Sequence, residues 1–409
     1  MEFFRVKTSQ QVKDILRSIP PGDFEKVSLD EALHRVLAQD IIASSDFPPF
    51  ARSAMDGYAV GARDSFGASE TTPGLFEVIG EVRMGETPTV HVGPGQAARI
   101  GTGGFLPAGA DAVVMVEYTQ IIDESTIEVF RAVAPGDHVV QQGEDIGSDE
   151  RLLEHGHRLR AQDVGALAAL GITTLEVYRR PIVAIISTGD ELVPPHALPR
   201  GGQIRDTNTY TLSSLAKEAG AISLPLGIAH DSLQALIPKL RTGLTQADIV
   251  VISAGSSIGA RDLTVNTITS LPDSEVLLHG VAVSPGKPTI LARVGSKYVW
   301  GLPGHAVSAM IIFLTLVVPS LLKMGGYREW ERPNPWSLRA KVSRNIPSAQ
   351  GREDYIRVKL VYEGKELVAV PLFGKSGSIS TMVKGDGLLK IDMNAEGIEA
   401  GDVVEVWPF

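Results

Sequence analysis

The sequence predicts a multidomain protein of class α/β plus β, with one doubly wound α/β domain set among β-rich modules. Its 409 residues exceed one ordinary core, and about two to four domains are expected. From Arg180 to Tyr327, buried apolar runs alternate with helical stretches, the pattern of a parallel sheet covered on both faces. Elsewhere short alternating runs predominate, and 42 Gly and 25 Pro imply many turns rather than a helical bundle.

The elements follow in order. Ser28-Leu-Asp-Glu31 has the form of a capping box. It predicts a helix that buries Leu29, Leu33, Val36 and Leu37 and ends near Gln39-Asp40. Asp46-Phe-Pro-Pro-Phe50 is a stiff connector. A β-rich stretch then runs to about Gln142, with strands expected at Phe76–Ile79, Ala110–Val116 and Thr126–Phe130. Gly143 to Tyr178 is mixed, with a helix from Gln162 to Leu170 stopped by Gly171. Pro181–Ile186, Ile222–Gly227 and Ile249–Ile252 read as buried strands. Asn208–Ala219 reads as a helix, and so does Ser232–Leu240, which Pro238 kinks or shortens. Ala306–Leu322 is mostly apolar but is interrupted by Pro319 and two serines. It falls short of the roughly 20 residues a bilayer core requires, so a buried helix is expected rather than a membrane span. The alternating runs after Tyr327 predict a small β-barrel or sandwich. No internal repeat is found.

Composition narrows the chemistry. A formal net charge of −10 argues against a general nucleic-acid surface. Any anionic ligand must therefore be drawn in locally, by loop amides, a few Arg and Lys residues, or a bound cation. The absence of cysteine excludes disulfides, thiolate metal sites and cysteine nucleophiles. The opening Met1-Glu-Phe-Phe-Arg5 has no signal-peptide character, and a cytoplasmic location is expected.

Three loops carry the chemistry. Ala254-Gly-Ser-Ser-Ile-Gly-Ala-Arg-Asp262 follows an apolar strand. Ser284-Pro-Gly-Lys-Pro288 comes next, and Gly301-Leu-Pro-Gly304 opens the long apolar helix. Glycine lets a backbone approach a ligand closely, and N–H groups at a strand-to-helix turn suit anionic oxygens. Ser187-Thr-Gly-Asp-Glu191 also follows a strand and should share one rim with the first loop, beyond the carboxyl ends of the strands. In Gly201-Gly-Gln-Ile-Arg-Asp-Thr-Asn208, Asp206 reads as a helix cap and Arg205 as a candidate phosphate contact. Asp231 and Asp262 start successive segments on that rim. Each alone is more often a cap than a ligand, but two carboxylates near phosphate suit Mg²⁺. Asp56-Gly57, beside an exposed-looking Tyr58, reads first as a hairpin turn, and Gly143-Glu-Asp-Ile146 could equally be a simple turn. No Walker loop, Ser-His-Asp triad or clustered histidine site is present. These features point to a site for a phosphorylated small molecule.

Taken together, Ser53-Ala-Met-Asp-Gly-Tyr-Ala59, Thr102-Gly-Gly104, Gly143-Glu-Asp-Ile146, Ser187–Glu191, Gly202–Asn208, the 253–262 loop, Pro285-Gly-Lys-Pro288 and Gly301–Gly304 resemble the MoeA/gephyrin E-domain family. Those proteins are the molybdopterin molybdenumtransferases, and the resemblance covers essentially the whole chain. It implies an elongated arrangement: a discontinuous linker domain (1–45 plus 143–178), a β-rich second domain (46–142), a MogA-like α/β domain (179–327) and a C-terminal β-barrel (328–409). It implies that adenylylated molybdopterin and molybdate, or tungstate, give molybdenum cofactor and AMP, with Mg²⁺ on Asp231 and Asp262. A homodimer is implied, its active site lying between subunits, as is transient contact with a molybdopterin adenylyltransferase. Nucleic acid and membrane are not implied. Catalytic roles would fall to Asp56, Asp145, Glu191, Asp262 and Lys287. Substrate contacts would come from Thr102, Thr188, Gly189 and Arg205, from Gly255, Ser256 and Ser257, from Ser284, Pro285 and Gly286, and from Pro303 and Gly304.

The chain departs from the family at three places. Ser284 stands where a lysine is usual, Gly255-Ser256 where two glycines are usual, and His305-Ala306 where Asn-Pro is usual. The first change removes a positive charge from an anion-facing position. These departures motivate a second reading, a paralogue that binds molybdopterin or its nucleotide as carrier, chaperone or scaffold. A nucleotide-ligand enzyme with another substrate is a third.

Overall fold

The structure is a computed structural model that describes residues 6–254, 258–331 and 336–409. Its α/β portion is built on a six-stranded sheet. In spatial order the strands are Ile222–Ala229, Ile182–Thr188, Ile249–Ala254, Lys297–Pro303, Ile290–Val294 and Ser274–His279. The first four run parallel; Ile290–Val294 is antiparallel to them, and Ser274–His279 pairs antiparallel with it at the edge. The sheet expected as parallel is thus mixed. Ile290–Val294 and Lys297–Pro303 are joined by a tight turn at Gly295, whose φ is +59°, and such a connection makes an antiparallel pair.

Alternation along the strands feeds two cores. Val183, Ile185, Ile249, Val251, Trp300 and Leu302 face one side. There they pack against the helix Asn208–Glu218, the long helix from Ala306, and Val12 and Leu16 of an N-terminal helix. Ala184, Ile186, Val250, Ile252 and Val299 face the other side, against Leu236 and Leu240 of the helix Leu233–Gln246 and Ile268 of Ile258–Thr269. With both faces covered, the central strands read as continuous apolar runs. Pro238 neither ends nor shortens its helix, which spans 14 residues. The burial of Leu236, Leu240 and Gly243 holds that helix against the sheet. Ala306–Met324 is long and apolar enough to cross a membrane, yet 72% of its apolar window is buried within the protein.

The expected helix after Ser28 does not form. Phe24–Ser28 is a strand paired antiparallel with Thr174–Tyr178, and only a short 3-10 turn, Leu29–Glu31, follows. The Ser28 hydroxyl does reach the Glu31 carboxylate at 3.2 Å, but it caps no amide. Non-local pairing has overridden the local signal: Leu37 N–H donates to the His157 carbonyl, and Val36 bridges Arg158. The N-terminal helix is instead Ser9–Arg17, with a capping box between Thr8 and Gln11. Ile41–Ile42 pairs with Arg151–Leu153, so segments before and after the β-rich stretch are stitched together.

The β-rich stretch forms a six-stranded sheet in which Gly57–Val60 lies between Gln96–Ile100 and Ala112–Met115. The C-terminal region closes into a barrel. Its strands are Glu353–Glu363, Glu366–Pro371, Leu338–Val342, Val403–Pro408 and Gly387–Ile391, and the last pairs back to the first.

One buried carboxylate anchors the helix Ala161–Ala169. Asp163 accepts from Arg160 N–H at 2.8 Å, Arg160 Nη2 at 2.9 Å and the ring of His157 at 2.7 Å. Burial opposes its ionisation, but these donors outweigh burial and hold its pKa at about 2. Asp163→Asn is expected to cost about 1–2 kcal/mol at neutral pH, after allowance for the exposed Arg160. Because the folded pKa is depressed, this stability is present above the unfolded value of 3.8 and is lost as pH falls toward about 2. Urea melts at pH 7 and pH 3 should show the gap between wild type and variant narrowing.

Candidate active site

The parallel strands end together at Thr188, Ala254 and Pro303, so one rim receives the loops that follow them. A hydroxyl network sets this rim. Ser187 Oγ donates to Asp206 Oδ1 at 2.9 Å. Asp206, 5% exposed, accepts from the Thr209 N–H at 3.1 Å and its hydroxyl at 2.6 Å, the capping role expected of it. Asn208 Nδ2 donates to Ser253 Oγ at 2.6 Å and to the Gly304 carbonyl at 2.8 Å. This side chain, the last of the Gly202–Asn208 motif but not expected as a site residue, ties the start of its own helix to the strand end at Ser253 and to Gly304, while its buried Oδ1 is left without a partner.

Beside it lies a carboxylate group. Asp190 Oδ1 pairs with His230 Nδ1 at 3.0 Å and accepts the Asp231 N–H at 3.3 Å. The Asp231 carboxyl is pushed above its ordinary value of 3.8, by desolvation first and then by the negative charges of Asp190 and Glu191. Thr188 and His230 act in the opposite sense. The Thr188 hydroxyl is buried beside Asp231 yet makes no hydrogen bond of normal geometry. Asp190 and His230 were not expected as site residues, although Asp190 lies inside the Ser187–Glu191 loop and His230 directly precedes Asp231. Glu191 is exposed, and its carbonyl accepts the Ile204 N–H at 2.9 Å.

The remaining expected residues are placed unevenly. Asp262 is exposed on Ile258–Thr269, and Gly255, Ser256 and Ser257 lie outside the described residues. In the 284–288 loop, the Lys287 carbonyl accepts from Val281 and Thr289 N–H, both at 2.9 Å, which leaves an exposed lysine side chain. Gly286 has φ +142°, and a Cβ there would lie 2.4 Å from Ile312 Cδ1, so the loop packs against the long helix. Ser284 lies in register with Asp354 of the barrel. Arg205 is engaged elsewhere: its Nε binds the carbonyls of Pro195 at 2.9 Å and Ala197 at 3.2 Å, a contact that serves its own loop.

A second group belongs to the β-rich sheet. Asp56 Oδ1 accepts the Thr102 N–H at 2.6 Å and the Thr102 hydroxyl at 2.8 Å. These donors lower the Asp56 pKa and keep the carboxylate ionised. Asp56-Gly57 is not a hairpin turn. Gly57 begins a central strand, and Tyr58 beside it is 5% exposed, a core residue rather than a surface aromatic. Asp145 is exposed, and its N–H donates to Phe47 O at 3.2 Å. The two groups, on the rim and on the β-rich sheet, are held by separate sets of bonds.

This combination defines an α/β protein with a polar, carboxylate-bearing rim suited to a phosphorylated ligand. Three family descriptions match in succession: the MoeA N-terminal region (domains I and II) over residues 6–171, a probable molybdopterin binding domain over 184–323, and the MoeA C-terminal region (domain IV) over 339–409. The molybdopterin molybdenumtransferase of Haemophilus influenzae is 31% identical, covering 97% of this chain and 96% of that protein. That of Bacillus subtilis is also 31% identical, covering 98% and 93%. A solved structure of a molybdopterin biosynthesis MoeA protein from Pyrococcus horikoshii superimposes with TM-score 0.84 at 31% identity, covering 99% of this chain and 100% of that one. The chain belongs to the MoeA family, the molybdopterin molybdenumtransferases of molybdenum-cofactor biosynthesis.

Proposed function

We propose that the chain inserts molybdate, or the like-shaped tungstate, into adenylylated molybdopterin with release of AMP, assisted by Mg²⁺, in a cleft between two copies. The observation that carries this is the carboxylate group at the strand ends, where Asp190 accepts the Asp231 N–H and the Asp231 carboxyl is raised by desolvation first and then by the charges of Asp190 and Glu191. Such crowding at a rim suited to phosphate favours a cation.

The donors fit Mg²⁺. Asp231 and Asp262 would hold it, and the buried Thr188 hydroxyl beside Asp231 is a neutral oxygen close by. Among the described residues, no three acidic or imidazole groups stand close enough to enclose an ion. Phosphate oxygens and water must therefore complete the shell, as Mg²⁺ usually requires. When bound, the ion polarises the pyrophosphate link and offsets its charge.

The chain's own groups do the rest. Rim amides and Lys287 stabilise negative charge developing at the link, and Glu191 borders the same group. Asp206 and Asn208 fix the rim so that these donors need no reorganisation. Asp56 and Thr102 are bonded to each other away from the rim; two copies related by a two-fold axis would bring that pair, with Asp145, against the rim of the other copy. Water would add to the molybdopterin-side phosphorus and break its P–O bond to AMP, which leaves, while molybdate would bind the two pterin sulfurs and lose one oxide as water with the two thiol protons. Transient contact with the adenylyltransferase that makes the substrate would follow from the shared intermediate.

AMP release from adenylylated molybdopterin, with Mg²⁺ and either oxyanion, tests this directly. Release that requires the oxyanion is expected; tight nucleotide binding without AMP would favour the carrier or scaffold instead, which the changes at Ser284 and His305 recommend. At Mg²⁺ concentrations well below saturation, kcat/KM should also fall on acidification with an apparent pKa above 3.8, because Asp231 must be ionised in the metal-free protein. Asp190→Asn removes a neighbouring negative charge and should move that limb to lower pH. An unmoved limb would mean that another group controls it.

A further inference from the structure

We propose that Lys375, carried on the C-terminal barrel, supplies the anion contact that the lysine absent at Ser284 would otherwise make; this rests on the proposed function. The barrel reaches the rim along one strand. Val283–Ser284 pairs in parallel with Glu353–Asp354, the start of the long barrel strand Glu353–Glu363. Three residues beyond Asp354 on that strand, or about 10 Å, Arg357 Nη2 donates to the Gly374 carbonyl at 3.1 Å. Arg357 is 5% exposed, so it acts as a buried post under the loop Gly374–Ser378.

The same loop is fastened to the rim from the other side. Val307 N–H donates to the Ser376 carbonyl at 3.0 Å. Ser376 Oγ pairs with His305 Nδ1 at 2.7 Å. His305 directly follows Gly304, whose carbonyl is held by Asn208. The family's asparagine position has thus become a clamp that seats this loop beside the strand ends.

Lys287 already has a role in the proposed function, and three other described cations nearby are committed. Arg352 pairs with Asp354 at 3.2 Å, next to Ser284, and Arg205 binds its own loop carbonyls. His305 is used by Ser376. Lys375 is exposed and forms no ion pair among the described residues. A four-carbon stem on a doubly anchored loop can bring its ammonium to a phosphate or oxyanion as a point charge.

Affinity for adenylylated molybdopterin, titrated at two salt concentrations, tests this with the full-length chain. Lys375→Met should weaken binding by about 10-fold, the effect of losing one charge-assisted contact, and flatten the salt dependence. Lys375→Arg should retain most of the affinity. Ser284→Lys should restore binding in the Lys375→Met background and add much less to wild type. Wild-type affinity and salt slope in Lys375→Met, or an equal gain from Ser284→Lys in both backgrounds, would overturn the proposal. If the wild-type chain binds no adenylylated molybdopterin, the functional reading falls as well; binding that ignores Lys375→Met removes this inference alone.

Discussion

Asp231→Asn should lower kcat/KM for oxyanion-dependent AMP release by about 100-fold or more while the protein melts no lower than wild type. The first half follows from chemistry. The site opposes ionisation of Asp231, by desolvation first and then by the charges of Asp190 and Glu191. A carboxylate kept in such surroundings is retained for what it binds, and losing one charge-stabilising group from a preorganised site costs about two orders of magnitude or more. The second half follows from linkage. Its folded pKa is raised, so its stabilising contribution is full below the unfolded value and is lost as pH rises through the folded value. At pH 7 the ionised side chain therefore weakens the fold, and asparagine removes that strain. Because Asp231 stays in contact with solvent, the gain in melting temperature should be small. Calorimetry beside steady-state rates decides the matter. A variant that loses activity and stability together would make Asp231 a structural residue.

Gly57→Ala should destabilise the fold more than Asp163→Asn does, costing about 3 kcal/mol or more. A Cβ at Gly57 would lie 1.9 Å from the Val114 carbonyl oxygen, a backbone atom that cannot swing aside. Gly57 sits between two strands, paired to Ile100 and Met115, so relief requires parting the sheet. Asp56 would move with it, breaking both bonds from Thr102. Denaturant unfolding should show the loss, and any folded remainder should lose AMP release as well. A wild-type midpoint would mean that the sheet opens at this point more easily than its pairing implies.

The legible parts of the molecule are those where local pattern and tertiary context agree. Val183–Ile186 and Ile249–Ile252 are apolar throughout because both sheet faces are covered, and Gly171, with φ +71°, stops its helix where expected. Sequence reasoning fails where distant partners decide. Ser28 and Glu31 make their local contact, but pairing with Thr174–Tyr178 turns the segment into strand and turn. Tyr58 looks exposed in the sequence because an Asp-Gly pair beside small residues reads as a turn, yet it lies between Arg99 and Val114 of two distant strands. The antiparallel edge, Ser274–His279, carries too weak an alternation to assign in advance.

The site follows the same division. Loops bearing Thr188, Asp231, Lys287 and Gly304 are found from glycine, carboxylate and strand-end position. Asp190 escapes notice because only spatial proximity makes it the neighbour of His230 and Asp231, 40 and 41 residues on. Asn208 reads as the first residue of a helix at the end of the Gly202–Asn208 motif, and nothing local shows that it reaches Ser253 and Gly304. Arg357 and the Gly374–Ser378 loop carry no rim signature in the sequence, since the barrel reaches the rim only through the pairing of Ser284 with Asp354.

The metal content of the pterin product tests the central claim most directly. Purified protein would be incubated with adenylylated molybdopterin, Mg²⁺ and molybdate, and the protein-bound pterin isolated for molybdenum and AMP analysis. Metal insertion predicts about one molybdenum retained per pterin and one AMP released with it, neither appearing when molybdate is omitted. AMP released without retained molybdenum, or nucleotide bound intact with neither, would contradict it.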